Sequence, residues 1–318
     1  MNILFLMNPL ETVIMDKDTS FILMMGAKRR GHRVFFLPPG GVTLQAGGGG
    51  QPKRKFWFQV TEVTPQQDPQ RPFILGESVT LTDAQVDAVF IRTDPPFDED
   101  YLMHTWLLDL LPERVKVINR PAGIRAVNEK IWLTRFADLI PPTIISRDKG
   151  VLRDFARQYK HVIAKPTDGF GGKSVFNLRM DDVNLNVALE TLTGHGRKEI
   201  ILQPFIPEAG KGDKRILLLN GDPLGAVLRV HGKDDHRNNF FAGGRPQSTT
   251  ITPDDQVIID ALRPHLRALG LSFVGIDILG TYLIEVNVTS PTCLQEMNRL
   301  YQQRLEDQVI AFVEEDIG

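Results

Sequence analysis

The sequence predicts an α/β protein of two or three lobes that opens on a doubly wound parallel sheet. Three observations lead there. The apolar run Ile3–Met7, the helical stretch Ser20–Arg30 stopped at Gly31, and the run Val34–Leu37 make a β-α-β beginning. Residues 271–292 alternate β-branched and other side chains on both sides of Gly280-Thr281, as a β-hairpin does. At 318 residues and 42% hydrophobic content, the chain can bury a sizeable core.

The remaining elements follow in order. Pro38 to Pro52 holds Gly-Gly and the run Gly47–Gly50, so it reads as a loop or loose turn, and nothing in the sequence explains the run. Thr61–Pro72 is a polar, Pro- and Gln-rich connection. Val86–Arg92 is a strand entering Thr93-Asp94-Pro95-Pro96, where two prolines stop regular structure. Tyr101–Leu111 reads as a helix and Val115–Asn119 as a short strand. A second lobe begins near Pro121, with Ala126–Leu139 helical and ended by Pro141-Pro142. Val151–Tyr159 is a helix and His161–Lys165 a strand; Ile200–Gln203, Arg215–Asn220 and Pro223–Val230 are further strands, the last two joined by the turn signal Asn220-Gly221-Asp222. Asp254–Leu269 is a helix ended by Gly270, and Gln302–Glu314 an amphipathic one. No internal repeat is visible.

Composition narrows the function. Lys+Arg 37 against Asp+Glu 39 leaves a net charge of −2, with no basic stripe for nucleic acid. The single cysteine, Cys293, rules out an intrachain disulfide, and no Cys/His ligand spacing occurs. The N-terminus lacks the basic region of a signal peptide, and no run reaches the roughly 18 apolar residues of a membrane span. A cytoplasmic protein that binds neither membrane nor nucleic acid is the expectation.

Several segments carry chemistry. Glu285 and Asn287, two apart, share one face of the hairpin, and a turn at Gly280–Thr281 sets Asp277 opposite Glu285 on that face. Two carboxylates and an amide oxygen suit Mg²⁺, which is held by one or two carboxylates plus substrate phosphates; the competing reading is a solvated acidic sheet face. Lys165 ends an apolar strand, and Asp168, Gly169, Gly171 and Gly172 follow in a loop whose backbone N–H groups can close on phosphate. It is no P-loop: Thr167 stands where that motif needs glycine, and Val175–Leu178 continues as a strand. An ordinary hairpin turn is the alternative. Ile200–Pro207, with Gln203, Phe205 and Ile206, offers apolar faces and freed main-chain groups of the kind an adenine needs, although many strand ends look the same. Asp213 can take ribose hydroxyls and Arg215 can grip carboxylate or phosphate oxygens, against the plainer reading of a charged turn. Arg229 leads into the polar loop 231–244, read as a lid or as an ordinary long connection; His231 and His236 within it read better as solvated than as ligands.

The order of these signals resembles the ATP-grasp ligases, and most closely the bacterial glutathione synthetase family. The segments that carry the likeness are Asn128-Glu129-Lys130, Lys165-Pro166-x-Asp168-Gly169-x-Gly171-Gly172, Gly212-Asp213-Lys214-Arg215, Phe273-Val274-Gly275-Ile276-Asp277 and Glu285-Val286-Asn287-Val288-Thr289-Ser290-Pro291-Thr292. Asp18-Thr19-Ser20 and Arg92-Thr93-Asp94-Pro95-Pro96 extend it across nearly the whole chain. The lid departs from the family pattern. Arg237 and Gly243-Gly244 are kept, Asn238 replaces a glycine, and Phe240-Phe241 adds bulk.

The resemblance implies an ATP-grasp fold of three lobes: an N-terminal Rossmann-like domain over 1–122, a central lobe over 123–203 and a C-terminal lobe over 204–318 that carries metal site and lid. It implies Mg-ATP-dependent joining of γ-glutamylcysteine to glycine through an acyl phosphate, with Mn²⁺ as the alternative metal and a homo-oligomer, dimer or tetramer, as the assembly. Asp277, Glu285 and Asn287 would hold metal, and Lys130 and Lys165 would neutralise phosphate. Asp168, Gly169, Gly171, Gly172, Gln203, Phe205, Ile206 and Asp213 would surround the nucleotide. Arg215 and Arg229 would face the acyl-phosphate and tetrahedral oxygens, and Ser20, Arg92, Arg237 and Ser290 the peptide substrate. Other readings stay open: an ATP-grasp carboxylate–amine ligase with a different acceptor, such as one adding glutamate to a protein tail; a non-catalytic nucleotide sensor, against which the full metal set argues; and an NAD-dependent oxidoreductase, against which the missing strand–GxGxxG–helix unit argues.

Overall fold

The computed structural model describes residues 1–47, 54–230 and 244–315, arranged around three sheets. The first sheet holds β1 (Asn2–Leu6), β2 (Arg33–Leu37), β3 (Val42–Ala46), β4 (Arg54–Pro65), β5 (Phe73–Thr82), β6 (Ala88–Ile91) and β7 (Lys116–Ile118), in the order β3-β4-β2-β1-β6-β7 with β5 on β4. Strands β2, β1, β6 and β7 run parallel, as the β-α-β beginning requires. Helix α1 (Thr19–Arg29) makes the first crossover, and Asp18 caps it by accepting from the Phe21 N–H. Helix α2 (Glu99–Leu108) precedes β7, and the short α3 (Pro121–Ala126) follows it.

The second sheet is antiparallel, β10-β9-β11-β8, from β8 (Ile144–Ser146), β9 (His161–Pro166), β10 (Phe176–Arg179) and β11 (Ile200–Pro204). Helices α4 (Lys149–Tyr159) and α5 (Leu185–Leu192) cover it. The third sheet, also antiparallel, runs β14-β13-β12-β15-β16, from β12 (Asp213–Leu219), β13 (Asp222–Val230), β14 (Arg245–Gln247), β15 (Phe273–Leu279) and β16 (Tyr282–Asn287). Helices α6 (Pro253–Ala268), α7 (Leu294–Tyr301) and α8 (Leu305–Glu315) complete the fold. Helix α8 returns to the first lobe, where Arg29 meets Glu306 at 2.6 Å and Asp307 at 2.5 Å.

Hydrophobic burial divides the molecule unevenly. Two apolar cores each mix residues of the first and third sheets: one joins Leu4 and Phe35 to Ile216 and Val286, the other joins Ile3 and Phe90 to Leu217 and Val309. The third core, around Leu152, Val162, Leu189 and Leu202, belongs to the second sheet and its helices alone. Asn119, just past β7, adds a polar stitch between the first and third sheets. Its amide donates to the carbonyls of Phe273 (2.7 Å) and Val288 (2.8 Å) and accepts from the Phe273 N–H (2.7 Å).

Three expectations need correction. Val42–Ala46 is a strand within the segment read as loop, and Thr61–Pro65 completes β4 where a connection was expected. The helix expected over Ala126–Leu139 is broken: α3 ends at Ala126, Lys130 sits in a turn, and Trp132–Leu139 is a 3₁₀ stretch kinked at Phe136. Helices α5 and α7 carried no strong sequence signal. Gly48–Gly50, the loop 231–243, and with it Arg237, His231 and His236, lie outside the described residues.

Candidate active site

Strand register assembles the charged wall of the site. Asp277 pairs with Glu285 across β15 and β16, so the hairpin face read from the sequence forms as expected. Arg215 on β12 lies opposite Asp277, and Arg229 on β13 opposite Asp213. Because side chains alternate along each strand, these residues come out on one face.

They lock together there. Arg215 grips Asp277 through Nε and Nη2, both at 2.7 Å, and Nη1 reaches the Thr292 hydroxyl at 3.3 Å. Arg229 bonds both oxygens of Asp213 and touches Asp277 at 2.9 Å. All four are buried. Burial alone would raise the Asp277 carboxyl, but the two guanidiniums overcome it and hold the group well below the usual carboxylate range. Burial does raise the Asp213 carboxyl, against the pull of Arg229. The sequence reading gave Asp213 to ribose hydroxyls; in the structure its carboxylate is engaged by Arg229.

The opposite wall comes from β9, its loop, and the turn before Trp132. Gly171 and Gly172 take φ of 60° and 71°, the left-handed region that glycine reaches without strain. Lys130 Nζ lies 2.6 Å from Glu285 and also donates to the Gly169 carbonyl. Burial opposes the Lys130 charge, but Glu285 more than compensates and keeps its pKa raised. Lys165 has no such contact partner among the described residues; burial pushes its pKa down to about 8, against the pull of Glu285.

Between the walls lies a cavity of about 340 Å³. Lys130, Lys165, Gly169, Gly171, Gly172, Gln203, Phe205, Ile206, Asp213, Arg215, Arg229, Asp277, Glu285, Asn287 and Ser290 all line it. The Phe205 ring stacks on His161 at 4.1 Å, its N–H donates to the His161 carbonyl, and the Gln203 amide donates to Thr143. Asp168 is exposed and is not brought to the cavity wall. Ser20 and Arg92 are buried behind it: Arg92 donates to the Ser20 hydroxyl and the Pro291 carbonyl, both at 3.0 Å, and so braces the segment that carries Ser290.

The sequence reading places Glu129, Asp94, Thr289 and Thr292 within family-like segments without giving them a site role, and gives Cys293 none; all five line the cavity. Thr289 continues the two-residue alternation of Glu285 and Asn287, a signal that was available. Glu129 sits inside the Asn128-Glu129-Lys130 segment, which drew attention only to Lys130.

No group of three or more His, Cys, Asp or Glu is placed for a metal among the described residues. Two carboxylates and an amide nevertheless fit a hard cation that takes its other ligands from phosphates. The Asn287 amide nitrogen donates to the Gly275 carbonyl at 3.3 Å, which leaves its oxygen as the acceptor to offer. Asp277 can share in such a site only while holding its arginines.

Comparison with known proteins agrees with this architecture. Residues 1–125 match the family model of the prokaryotic glutathione synthetase N-terminal domain, and residues 129–302 that of the prokaryotic glutathione synthetase ATP-grasp domain. Glutathione synthetase of Synechocystis sp. is 38% identical over 99% of this chain and 99% of its own length. That of Pseudomonas aeruginosa is 37% identical over 96% and 94%. Among solved structures, D-cycloserine synthetase DcsG superposes with a TM-score of 0.67 at 15% identity, covering 99% of each chain. A Chryseobacterium gregarium ATP-grasp ligase complexed with ADP and a leader and core peptide gives 0.66 at 15%, covering 99% of this chain and 97% of that one. These two likenesses show the fold alone, which is ATP-grasp.

Proposed function

The chain belongs to the prokaryotic glutathione synthetase family, and from that premise we propose how its cavity carries out the family's reaction. The protein is an ATP-dependent ligase that joins γ-glutamylcysteine to glycine with a divalent metal, releasing glutathione, ADP and phosphate. A carboxylate is a poor acyl donor. Attack of the peptide carboxylate on the terminal phosphoryl of ATP gives an acyl phosphate and ADP; the glycine amine then attacks the acyl carbon and phosphate leaves. Positioning and charge neutralisation supply most of such a rate.

The observation that carries the assignment of roles is the meeting of Asp277, Glu285 and Asn287 with Lys130, Lys165 and the glycine loop around one cavity. Lys130 and Lys165 neutralise phosphate, helped by the loop N–H groups of Gly169, Gly171 and Gly172. Gln203, Phe205 and Ile206 receive the adenine. Arg215 and Arg229, held in place by Asp277 and Asp213, present their remaining N–H donors to the acyl-phosphate and tetrahedral oxygens. Ser290 orients the peptide, braced by Arg92 and Ser20. Glu285, Asn287 and Asp277 would hold the divalent metal, which we take to be Mg²⁺ and which would spread phosphate charge at the moment of transfer. The proposed lobes at 1–122, 123–203 and 204–318 follow the three sheets, with the second boundary falling at the last residue of β11. A homo-oligomer in the cytoplasm completes the proposal.

Phosphate release from Mg-ATP tests this reading. With γ-glutamylcysteine present, release should require glycine and match glutathione formed. Equal release with another amine in place of glycine points to a different acceptor, and no release under any condition points to a nucleotide sensor.

A further inference from the structure

We propose that Glu129 is a positioning residue for the reaction, the joint that sets the exit of β16 against the phosphate-facing turn. This rests on the ligase reading above. Glu129 belongs to the turn that carries Lys130, far in sequence from the segments it holds. Its Oε1 accepts three hydrogen bonds, from the Val288 N–H at 2.8 Å, the Thr289 N–H at 3.1 Å and the Thr289 hydroxyl at 2.9 Å. Its carbonyl accepts a fourth, from the Val286 N–H at 3.0 Å. Four donors of the chain at β16 and just beyond therefore end on one residue.

The consequence is geometric. Residues 286–289 bracket Asn287 and lead directly to Ser290 and Thr292, all three of which line the cavity. Past Asn287 the strand has ended, and no ladder fixes the main chain. Without Glu129, the Val288 and Thr289 N–H groups would lose their acceptor at the point where the chain turns into the site. The same residue sets its neighbour: Lys130 leaves the turn toward Glu285, on the strand that Glu129 grips. One short turn thus fixes a lysine, a carboxylate and an amide relative to one another. A carboxylate that accepts three bonds in a shared arrangement is the strong form of such a joint. A displacement of about 1 Å at reacting groups costs on the order of 100-fold in rate.

The test uses the full-length protein with Glu129→Ala, Glu129→Gln and Thr289→Val. Each variant is measured for kcat, for KM of each substrate, and for affinity for a non-hydrolysable ATP analogue. Glutamine keeps an acceptor oxygen in place, so Glu129→Gln should stay within about fivefold of the parent kcat. Glu129→Ala should lose about 100-fold in kcat, with analogue affinity changed less than about threefold. Thr289→Val, which deletes one of the three donors, should lose about fivefold in kcat. An equal fall in Glu129→Gln and Glu129→Ala would mean that the charge itself acts in the chemistry, and overturns the proposal. So does Glu129→Ala with kcat within threefold of the parent, or a loss confined to nucleotide affinity. If Glu129→Ala does not fold, unchanged kcat in Thr289→Val overturns it, and a fivefold loss there supports it. The parent protein is the control for the reaction: if it makes no glutathione, the ligase reading has failed, independently of what the variants do.

Discussion

The two walls of the cavity handle charge in opposite ways. On the third sheet, Asp213, Arg215, Arg229 and Asp277 pair with one another across three strands, each charge meeting an opposite one, while some guanidinium N–H groups stay free to face the cavity. On the second sheet, Lys165 stands at a strand end with no ion pair among the described residues, and burial has drawn its pKa down to about 8. The first wall is a scaffold whose charges are already balanced. The second offers a positive charge whose balance must come from an anion. A balanced network fixes geometry, because every member holds the next; in its proposed role, the unbalanced lysine would give affinity, because an incoming phosphate would relieve its cost of burial.

Breaking the balanced wall should have the largest effect. Asp277→Asn leaves Arg215 and Arg229 facing each other in a buried site. We expect a loss of roughly 3–5 kcal/mol of stability, read from the urea midpoint at constant slope, together with turnover too low to measure. Retention of both stability and activity would show that the arginines are held by something other than Asp277.

Glu285→Gln probes the seam between the walls. It removes charge from a proposed metal ligand and releases Lys130 while keeping the shape. Turnover should fall on the order of 100-fold or more, with KM for the peptide nearly unchanged. Near-normal turnover at saturating Mg²⁺ would falsify the ligand role of Glu285.

Lys165→Met tests the unbalanced wall and should have the mildest effect. Nucleotide affinity should drop by about tenfold, equivalent to about 1.4 kcal/mol, with no loss of thermal stability. The pH dependence sharpens the point. The Lys165 pKa is depressed in the free protein, and bound phosphate must raise it, so binding takes up a proton above pH 8. Affinity should therefore be greatest below pH 8 and weaken by up to about tenfold per unit above it. In Lys165→Met that fall should vanish. Calorimetry across pH 7 to 9 (roughly one unit either side of the shifted pKa) checks both; equal pH dependence in parent and variant would place the titration elsewhere.

The contrast also explains what the sequence could reveal. The β15–β16 hairpin was legible because two-residue alternation and a Gly-Thr turn are local signals, and same-face carboxylates follow from them. Lys165 was legible for the same reason, as a charge ending an apolar strand before glycines. The arginine–carboxylate network was not, since it depends on the register of β12 with β13 and β15, which brings together residues up to 62 apart in sequence. Strands β3 to β5 were hidden by glycine, proline and glutamine at their margins and by the exposed outer face of β5. Lys130 was assigned to a helix because apolar spacing around Ala126–Leu139 suits one, and the break after Ala126 carries no proline or glycine to announce it.

The distribution of the apolar cores has a mechanical consequence. The first and third sheets share two cores and the Asn119 stitch, so neither can shift or melt without disrupting the other. The second sheet has a core of its own, and its glycine loop and Lys165 travel with it. The molecule is thus an anvil built of two sheets and a jaw built of one. Thermal energy can displace the jaw without opening a core, whereas distorting the anvil exposes one. Amide protons of β9 and β11 should accordingly exchange through a lower-energy opening than those of β1 and β15.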